Sequence, residues 1–408
     1  ETLKTITPLA KKDLKGKAFN QVKFIAGDAH FRTEAWAESV TNLSLFVSSL
    51  TPAEPNYDTA LMEMGLAVQK LGKPEIAMIH LNALVSSCPK SDHMPMALSE
   101  LGRLYYEAKQ YPQAKGHLQR LSGSYSNAPE RVAGEYYLGW ITLNEQQGSE
   151  AERVFTASQH FGYVVRTGPS DPLCADSLLQ LGLINLKATK YQEAYTRMTE
   201  LLSRFPKFEK NDEALYSAGV ALARQDQWAA AVANCFQPFT NRFAQSELLD
   251  RTFYEWAWCE RRQNRPAEAV KRYEMLISAR PNSKLIDRAR FEMSELTFDK
   301  QQYDKVIGDL LKALGEAKEP GLREQIQHRL AWAYLGKGDT ATAAKTFEAL
   351  LVAFPQSDIA ATAHYQAGEC RMKLMEFLPA SVHFAAALDA KNSKDVHESS
   401  LIRLGEAQ

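Results

Sequence analysis

The side chains that could do chemistry in this 408-residue chain are scattered rather than assembled. Five cysteines (Cys88, Cys174, Cys235, Cys259, Cys370) show no CxxC and no metal-ligand spacing. The nine histidines are dispersed, and the pair His364 and His383 falls short of a zinc ligand set. HExxH, Walker and GxSxG patterns are absent, and Gly336-Lys-Gly338-Asp reads as a turn between helices rather than a phosphate loop. The chain is therefore expected to be no enzyme and to hold no cofactor and no metal. What remains is aromatic and basic: Trp140, Trp258 and Trp332, with Tyr136, Tyr216, Tyr254, Phe291 and Tyr365, and with Arg103, Arg261 and Arg262. Tryptophan, tyrosine and arginine are the residue types that anchor partners at interfaces.

The elements that must position them repeat. Gly65, Gly102, Gly139, Gly182, Gly219, Ala257, Ser294, Ala331, Gly368 and Gly405 are separated by 37 residues in seven of nine intervals, by 38 in one and by 43 in another. Twelve residues after each marker comes a second small residue: Ala77, Ala114, Ala151, Ala194, Ala231, Ala269, Ala343 and Ala380, with Val306 the exception. Fixed periods of this size mean stacked supersecondary units. Within one unit apolar residues recur at three- and four-residue steps on both sides of a short polar break, as at Thr189-Lys190. That is two amphipathic helices joined by a tight turn.

A mid-helix glycine costs about 1 kcal/mol against alanine, so close helix approach must favour it. The small residue twelve positions on is the expected crossing partner. The larger residues four positions further (Leu81, Leu118, Phe155, Met198, Cys235, Tyr273, Leu310, Phe347, Phe384) are expected to fill space toward the next unit. Pro89, Pro206, Pro281 and Pro355 should stop second helices, and the Pro-x-Ser segments after three of them should cap the next helix.

A small residue at position 8, alanine at 20, a large apolar residue at 24 and proline at 32 resemble the tetratricopeptide repeat. The resemblance implies an all-α, α-α superhelical solenoid of about ten helical hairpins. Residues 1–56 are expected to hold N-terminal helices and a degenerate repeat, with Ala37 in the alanine role. Residues 57–408 are expected to hold nine repeats and the start of another, with an insertion near 159–168 and more chain beyond Gln408 in the intact protein. The longer 37-residue form with its Pro-x-Ser linker is similar to repeats of bacterial cell-envelope proteins of the Tol–Pal-associated and outer-membrane assembly lipoprotein type. It points to the periplasm or cell envelope, with the cytoplasm open.

In this family the first helices line a concave groove. Position 5, where Tyr136, Tyr216, Tyr254, Phe291 and Tyr365 fall, and position 9, with Arg103, Trp140, Trp258 and Trp332, would face into it. Asparagine is missing at position 9, which argues against a clamp for a peptide carboxylate. Arg261 and Arg262 beside Trp258, followed by Glu292, Glu295 and Asp299, suggest sign-alternating patches. The function expected is a non-enzymatic scaffold binding a protein or peptide in the groove; a glycan-contacting scaffold of a secretion or envelope-assembly machine is the alternative. Net charge −1 gives no pull toward nucleic acid, and the lysines near the start (Lys4, Lys11, Lys12, Lys15, Lys17, Lys23) read as a solvated face. No apolar run is long enough to span a bilayer. Pro238, at a position where other units carry leucine, is expected to kink its helix.

Overall fold

The computed structural model describes residues 4, 8, 16–298, 302–390 and 392–408; Lys11, Lys12, Lys15 and Asp299 lie outside them. Among the described residues the regular structure is entirely helical. The chain divides into two compact units, Glu1–Phe208 and Glu209–Gln408. The first holds α1 (Gly16–Arg32), α2 (Trp36–Ser48), α3 (Tyr57–Lys70), α4 (Pro74–Ser87), α5 (Met94–Glu107), α6 (Tyr111–Ser124), α7 (Arg131–Asn144), α8 (Glu150–Thr167), α9 (Leu173–Lys187) and α10 (Tyr191–Arg204). The second holds α11 (Asn211–Ala223), α12 (Trp228–Ala231) running through a π-turn (Val232–Phe236) into α13 (Gln237–Arg242), α14 (Leu249–Arg262), α15 (Pro266–Ala279) and α16 (Ile286–Phe298). It continues with α17 (Tyr303–Glu316), α18 (Pro320–Lys337), α19 (Thr340–Ala353), α20 (Ala360–Lys373), α21 (Phe377–Asp389) and α22 (His397–Ala407). Successive helices pair into hairpins, and each hairpin stacks on the next within its unit. This is the stacked-hairpin array that the period implies, because one hairpin cannot bury its apolar face alone.

The marker glycine does not cross against the small residue twelve positions on, as the sequence suggests. It makes room for the large residue four positions further. A Cβ on Gly182 would lie 2.5 Å from Met198, on Gly65 2.8 Å from Leu81, on Gly368 2.6 Å from Phe384, and on Gly102 it would collide with Leu118. These large residues are fully buried within their own hairpin rather than reaching toward the next. Ala77, Ala114, Ala194 and their equivalents are buried too, letting the second helix sit close.

This interlock corrects three expected alignments. In the first hairpin Ala37 is exposed. Gly27 faces Leu43, and buried Ser39 takes the alanine role, donating its hydroxyl to the Gly27 carbonyl at 2.9 Å. In the fourth hairpin Gly139 faces Phe161, not Phe155, which is 65% exposed. Ala157 is buried there and Ala151 is exposed, so the six extra residues lie before Ala157 rather than at 159–168. They lengthen the turn and the start of α8, which opens on its own capping box between Ser149 and Glu152. In the sixth hairpin Gly219 faces Phe236, one residue beyond Cys235. The π-turn Val232–Phe236 absorbs that extra residue and brings Phe236 and Phe239 inward. Pro238 thus sits beside the leucine position and not in it, at the start of α13, and Phe239 does the packing.

Two polar devices set the turns. Seven residues after the marker the backbone is left-handed, at Gly72, Lys109, Thr189, Asp226, Asn264, Gly338 and Met375. Of the Gly336–Asp339 stretch, Gly336 and Lys337 end α18 and only the last two residues form the turn: Gly338 closes α18 in that conformation, and Asp339 then caps α19. The linker serines do not cap the following helix. Ser91, Ser246, Ser283 and Ser357 accept from the N–H two residues on. Each donates to an acid at the start of the hairpin's own first helix: Asp58 and Asp212 at 2.6 Å, Asp250 and Glu324 at 2.5 Å. In these four linkers the longer period therefore supplies a tie back to the first helix of the hairpin just completed.

Met375 is 77% exposed in a left-handed turn, so Met375→Gly should stabilise the second unit by about 1 kcal/mol, read as a raised denaturation midpoint. Gly102→Ala should lose about 1–3 kcal/mol to overpacking against Leu118 despite its better helix propensity, read in the same titration.

Candidate partner-binding face

In the first unit the aromatic residues singled out by the sequence are tied into the hairpin. Tyr136 and Trp140 flank Phe161 edge-on, at 6.2 and 5.9 Å between ring centroids. Both donate to the same oxygen of buried Asp176, Tyr136 from its hydroxyl at 2.9 Å and Trp140 from its indole N–H at 3.2 Å. Asp176 stands on α9, the first helix of the following hairpin, so this bond joins neighbouring first helices. Burial, then the adjacent Asp176 charge, pushes the Tyr136 hydroxyl pKa upward. Arg103 is held by acids of its own helix, Glu100 and Glu107, each at 2.7 Å.

The second unit repeats the pattern and departs from it once. Tyr254 meets Tyr273 at 5.6 Å and Tyr365 meets Phe384 at 5.8 Å, each the position-5 ring against the large residue of its own hairpin. Tyr216 is half-buried, and its hydroxyl is pushed up to about 12, first by burial and then by Glu255. Trp332 lies edge-on to Phe347 at 6.0 Å and donates its N–H to His328 Nε2 at 3.0 Å. That bond requires an unprotonated Nε2, in keeping with burial, and then Arg329, lowering the His328 pKa. Trp258 differs. Its ring lies under two guanidinium groups, Arg224 at 5.3 Å and Arg262 at 5.5 Å, and Arg262 also covers Trp228 at 5.1 Å. It is half-buried on α14 between buried Ala257 and Cys259, with arginines rather than a core ring on its faces.

The alternating charges turn out to be paired with each other. Arg261 binds Glu292, Arg329 binds Glu295, Arg224 grips Glu255 at 3.1 and 3.2 Å, and Arg403 binds Glu369 at 2.7 Å. These pairs stitch the first helices of adjacent hairpins. Phe291, with Arg288 5.8 Å from its centroid, walls a depression of about 290 Å³ that is also lined by Glu324, Gln325, His328, Arg329 and Ile359. Asp176, Arg224 and His328 were missed as contributors by motif reading. For two of them the signal is spacing, since Asp176 lies 36 residues from Trp140 and Arg224 pairs with Trp258 close to one period on; His328 lies one helical turn before Trp332.

All five cysteines are free and buried. Burial pushes the thiols of Cys235 and Cys259 up to about 12 and that of Cys370 up to about 11, so these behave as small apolar residues. Burial and the neighbouring His383 lower His364 to about 4. Among the described residues no three His, Cys, Asp or Glu side chains are grouped to hold a metal, and no helix is long and apolar enough to cross a membrane.

Profiles of the tetratricopeptide repeat match residues 96–128, 251–283 and 326–357, and a second profile of that repeat matches 179–235. Those four segments therefore carry tetratricopeptide repeats. A protein described as a DnaJ homolog subfamily C member 7 homolog, from Dictyostelium discoideum, is 27% identical over 232 residues, which covers 54% of this chain and 40% of that protein. Among solved structures, a tetratricopeptide repeat protein from Parabacteroides merdae is 17% identical at a TM-score of 0.43, covering 67% of this chain and 98% of its own. MamA protein is 16% identical at a TM-score of 0.39, covering 45% of this chain and 92% of its own.

The three tryptophans should separate by their surroundings. Trp140→Ala and Trp332→Ala remove rings packed on Phe161 and Phe347 and should each cost about 3 kcal/mol or more. Trp258→Ala should cost clearly less. Denaturant midpoints of the three variants give the comparison, and equal losses would put Trp258 in the same structural class.

Proposed function

Taking the chain as an array that carries tetratricopeptide repeats, we propose that it is a non-enzymatic scaffold binding a protein or peptide partner on the first-helix face of its hairpins. Trp258 is the chief anchor. The observation that carries this reading is the setting of that indole, half-buried with the Arg224 and Arg262 guanidinium groups 5.3 and 5.5 Å from its ring. A partly exposed aromatic ring beside arginine is the composition of interface hot spots, which combine a flat apolar ring with planar donors.

The depression beside Phe291, His328 and Arg329 has room for one partner side chain. Together these features suit an extended or helical peptide that lays one apolar residue on Trp258 and another near Phe291. Within the second unit Tyr216, Tyr254, Trp332 and Tyr365 then act as the rigid backing of that face, and Arg261 as a fixed charge. A bacterial cell-envelope setting rests on the Pro-x-Ser linker form alone and is separable from the binding reading.

Selection of a displayed random-peptide library on the purified chain tests the proposal. Binders should lose at least tenfold in affinity to Trp258→Ala and to Arg262→Ala, while the denaturation midpoints of those variants stay near wild type. Binders that ignore both substitutions would move the site elsewhere. Recognition of an oligosaccharide panel, followed by quenching of tryptophan fluorescence, would replace the peptide reading with a glycan one.

A further inference from the structure

Three helices of the second unit converge on a pair of imidazoles that the partner-binding reading does not use. His364 on α20 and His383 on α21 face each other through their Nδ1 atoms, 3.2 Å apart, with the rings inclined at 41°. On its far side His383 Nε2 lies 3.2 Å from Glu348 Oε1 on α19. Glu348 is itself held in a two-pronged grip by Arg371, at 2.8 Å from Nε and 2.7 Å from Nη2. This relay assigns the proton on His383. Nε2–H donates to the carboxylate, so Nδ1 accepts a hydrogen bond from His364 Nδ1–H.

We propose that His364 Nδ1 and His383 Nδ1 form a two-histidine site for a divalent transition-metal ion, Cu²⁺ in preference to Zn²⁺, with solvent filling the remaining positions. Two imidazole nitrogens bound at about 2.0–2.1 Å stand about 3.3 Å apart at a tetrahedral angle and about 2.9 Å apart at a right angle. The observed 3.2 Å lies inside that interval, so the two rings can turn both Nδ1 lone pairs onto one ion, the His364 Nδ1 proton moving to its Nε2 as the ion binds. A carboxylate bound to the outer nitrogen of a ligating histidine fixes its tautomer and raises its basicity, which is the part that Glu348 plays here. Both rings are partly exposed, His383 at 16%, so an ion can reach them from solvent. With only two protein ligands the site is exchangeable, unlike a closed structural zinc site. Copper is preferred because imidazole affinities rise to Cu²⁺ and fall again at Zn²⁺.

Calorimetric titration of the full chain with Cu²⁺ and with Zn²⁺, in a buffer that binds neither, is the test. One ion per chain should bind, copper more tightly. His364→Ala and His383→Ala should each weaken binding at least tenfold, and Glu348→Gln should weaken it about tenfold through the lost carboxylate. Electron paramagnetic resonance of the one-to-one copper complex should show coupling to two imidazole nitrogens in the wild type and to one in either single variant. Melting curves in EDTA identify any variant that fails to fold, and the wild-type spectrum then carries the test without it. A spectrum without two coupled nitrogens, or binding that survives in the double variant His364→Ala/His383→Ala, would overturn the site and leave the rings as hydrogen-bonded partners.

Discussion

In each hairpin whose marker is glycine, a large side chain occupies the space where a Cβ would have been. Gly182 admits Met198, Gly139 admits Phe161, Gly219 admits Phe236 and Gly368 admits Phe384. Each such glycine weakens its helix by about 1 kcal/mol. Burying a ring or long apolar chain against it offsets that, since complete burial of one large apolar side chain contributes about 1.5–3 kcal/mol. The contact also fixes how deeply the second helix seats against the first. Where the marker is alanine or serine, Tyr273, Leu310 and Phe347 are still fully buried.

The departures from the period make sense as ways of keeping that contact. Six additional residues before Ala157 leave Phe161 seated on Gly139, because they are spent on a longer turn and on a helical start with its own capping box. One additional residue in the sixth hairpin is taken up by a π-turn, which rotates the following residues by one register and delivers Phe236 to Gly219. A helix interior cannot hold an unpaired extra residue any other way at so small a cost to its hydrogen bonds. Packing of this kind is bistable rather than deformable, so insertions are absorbed around the contact and not within it.

The same interlock decides what the aromatic face can do. The position-5 rings Tyr136, Tyr254 and Tyr365 lie against the large buried residue of their own hairpin, and Trp140 and Trp332 do likewise. Their polar edges are answered internally, by Asp176 and His328. Arginine and glutamate of adjacent first helices answer each other in turn. Trp258 stands apart from this arrangement, faced by guanidinium groups, and it is the residue on which the binding proposal turns.

The sequence by itself determined the helical hairpins, their number and their turns. These depend on apolar spacing, on small residues one period apart and on proline stops, all of which are local or strictly periodic. It also marked where the rhythm fails, through one interval of 43 and one of 38. Only the tertiary structure decided which residue meets which. A period marks equivalent positions but not contacts, so Ala151 and Ala157 are both twelve-to-eighteen-residue candidates until burial chooses the second. Cys235 and Phe236 differ only by a π-turn that no propensity signals. The surroundings of the aromatic rings were the other hidden quantity: three half-buried tryptophans at one repeat position read alike, and their contacts separate two rings packed on core phenylalanines from one covered by arginine.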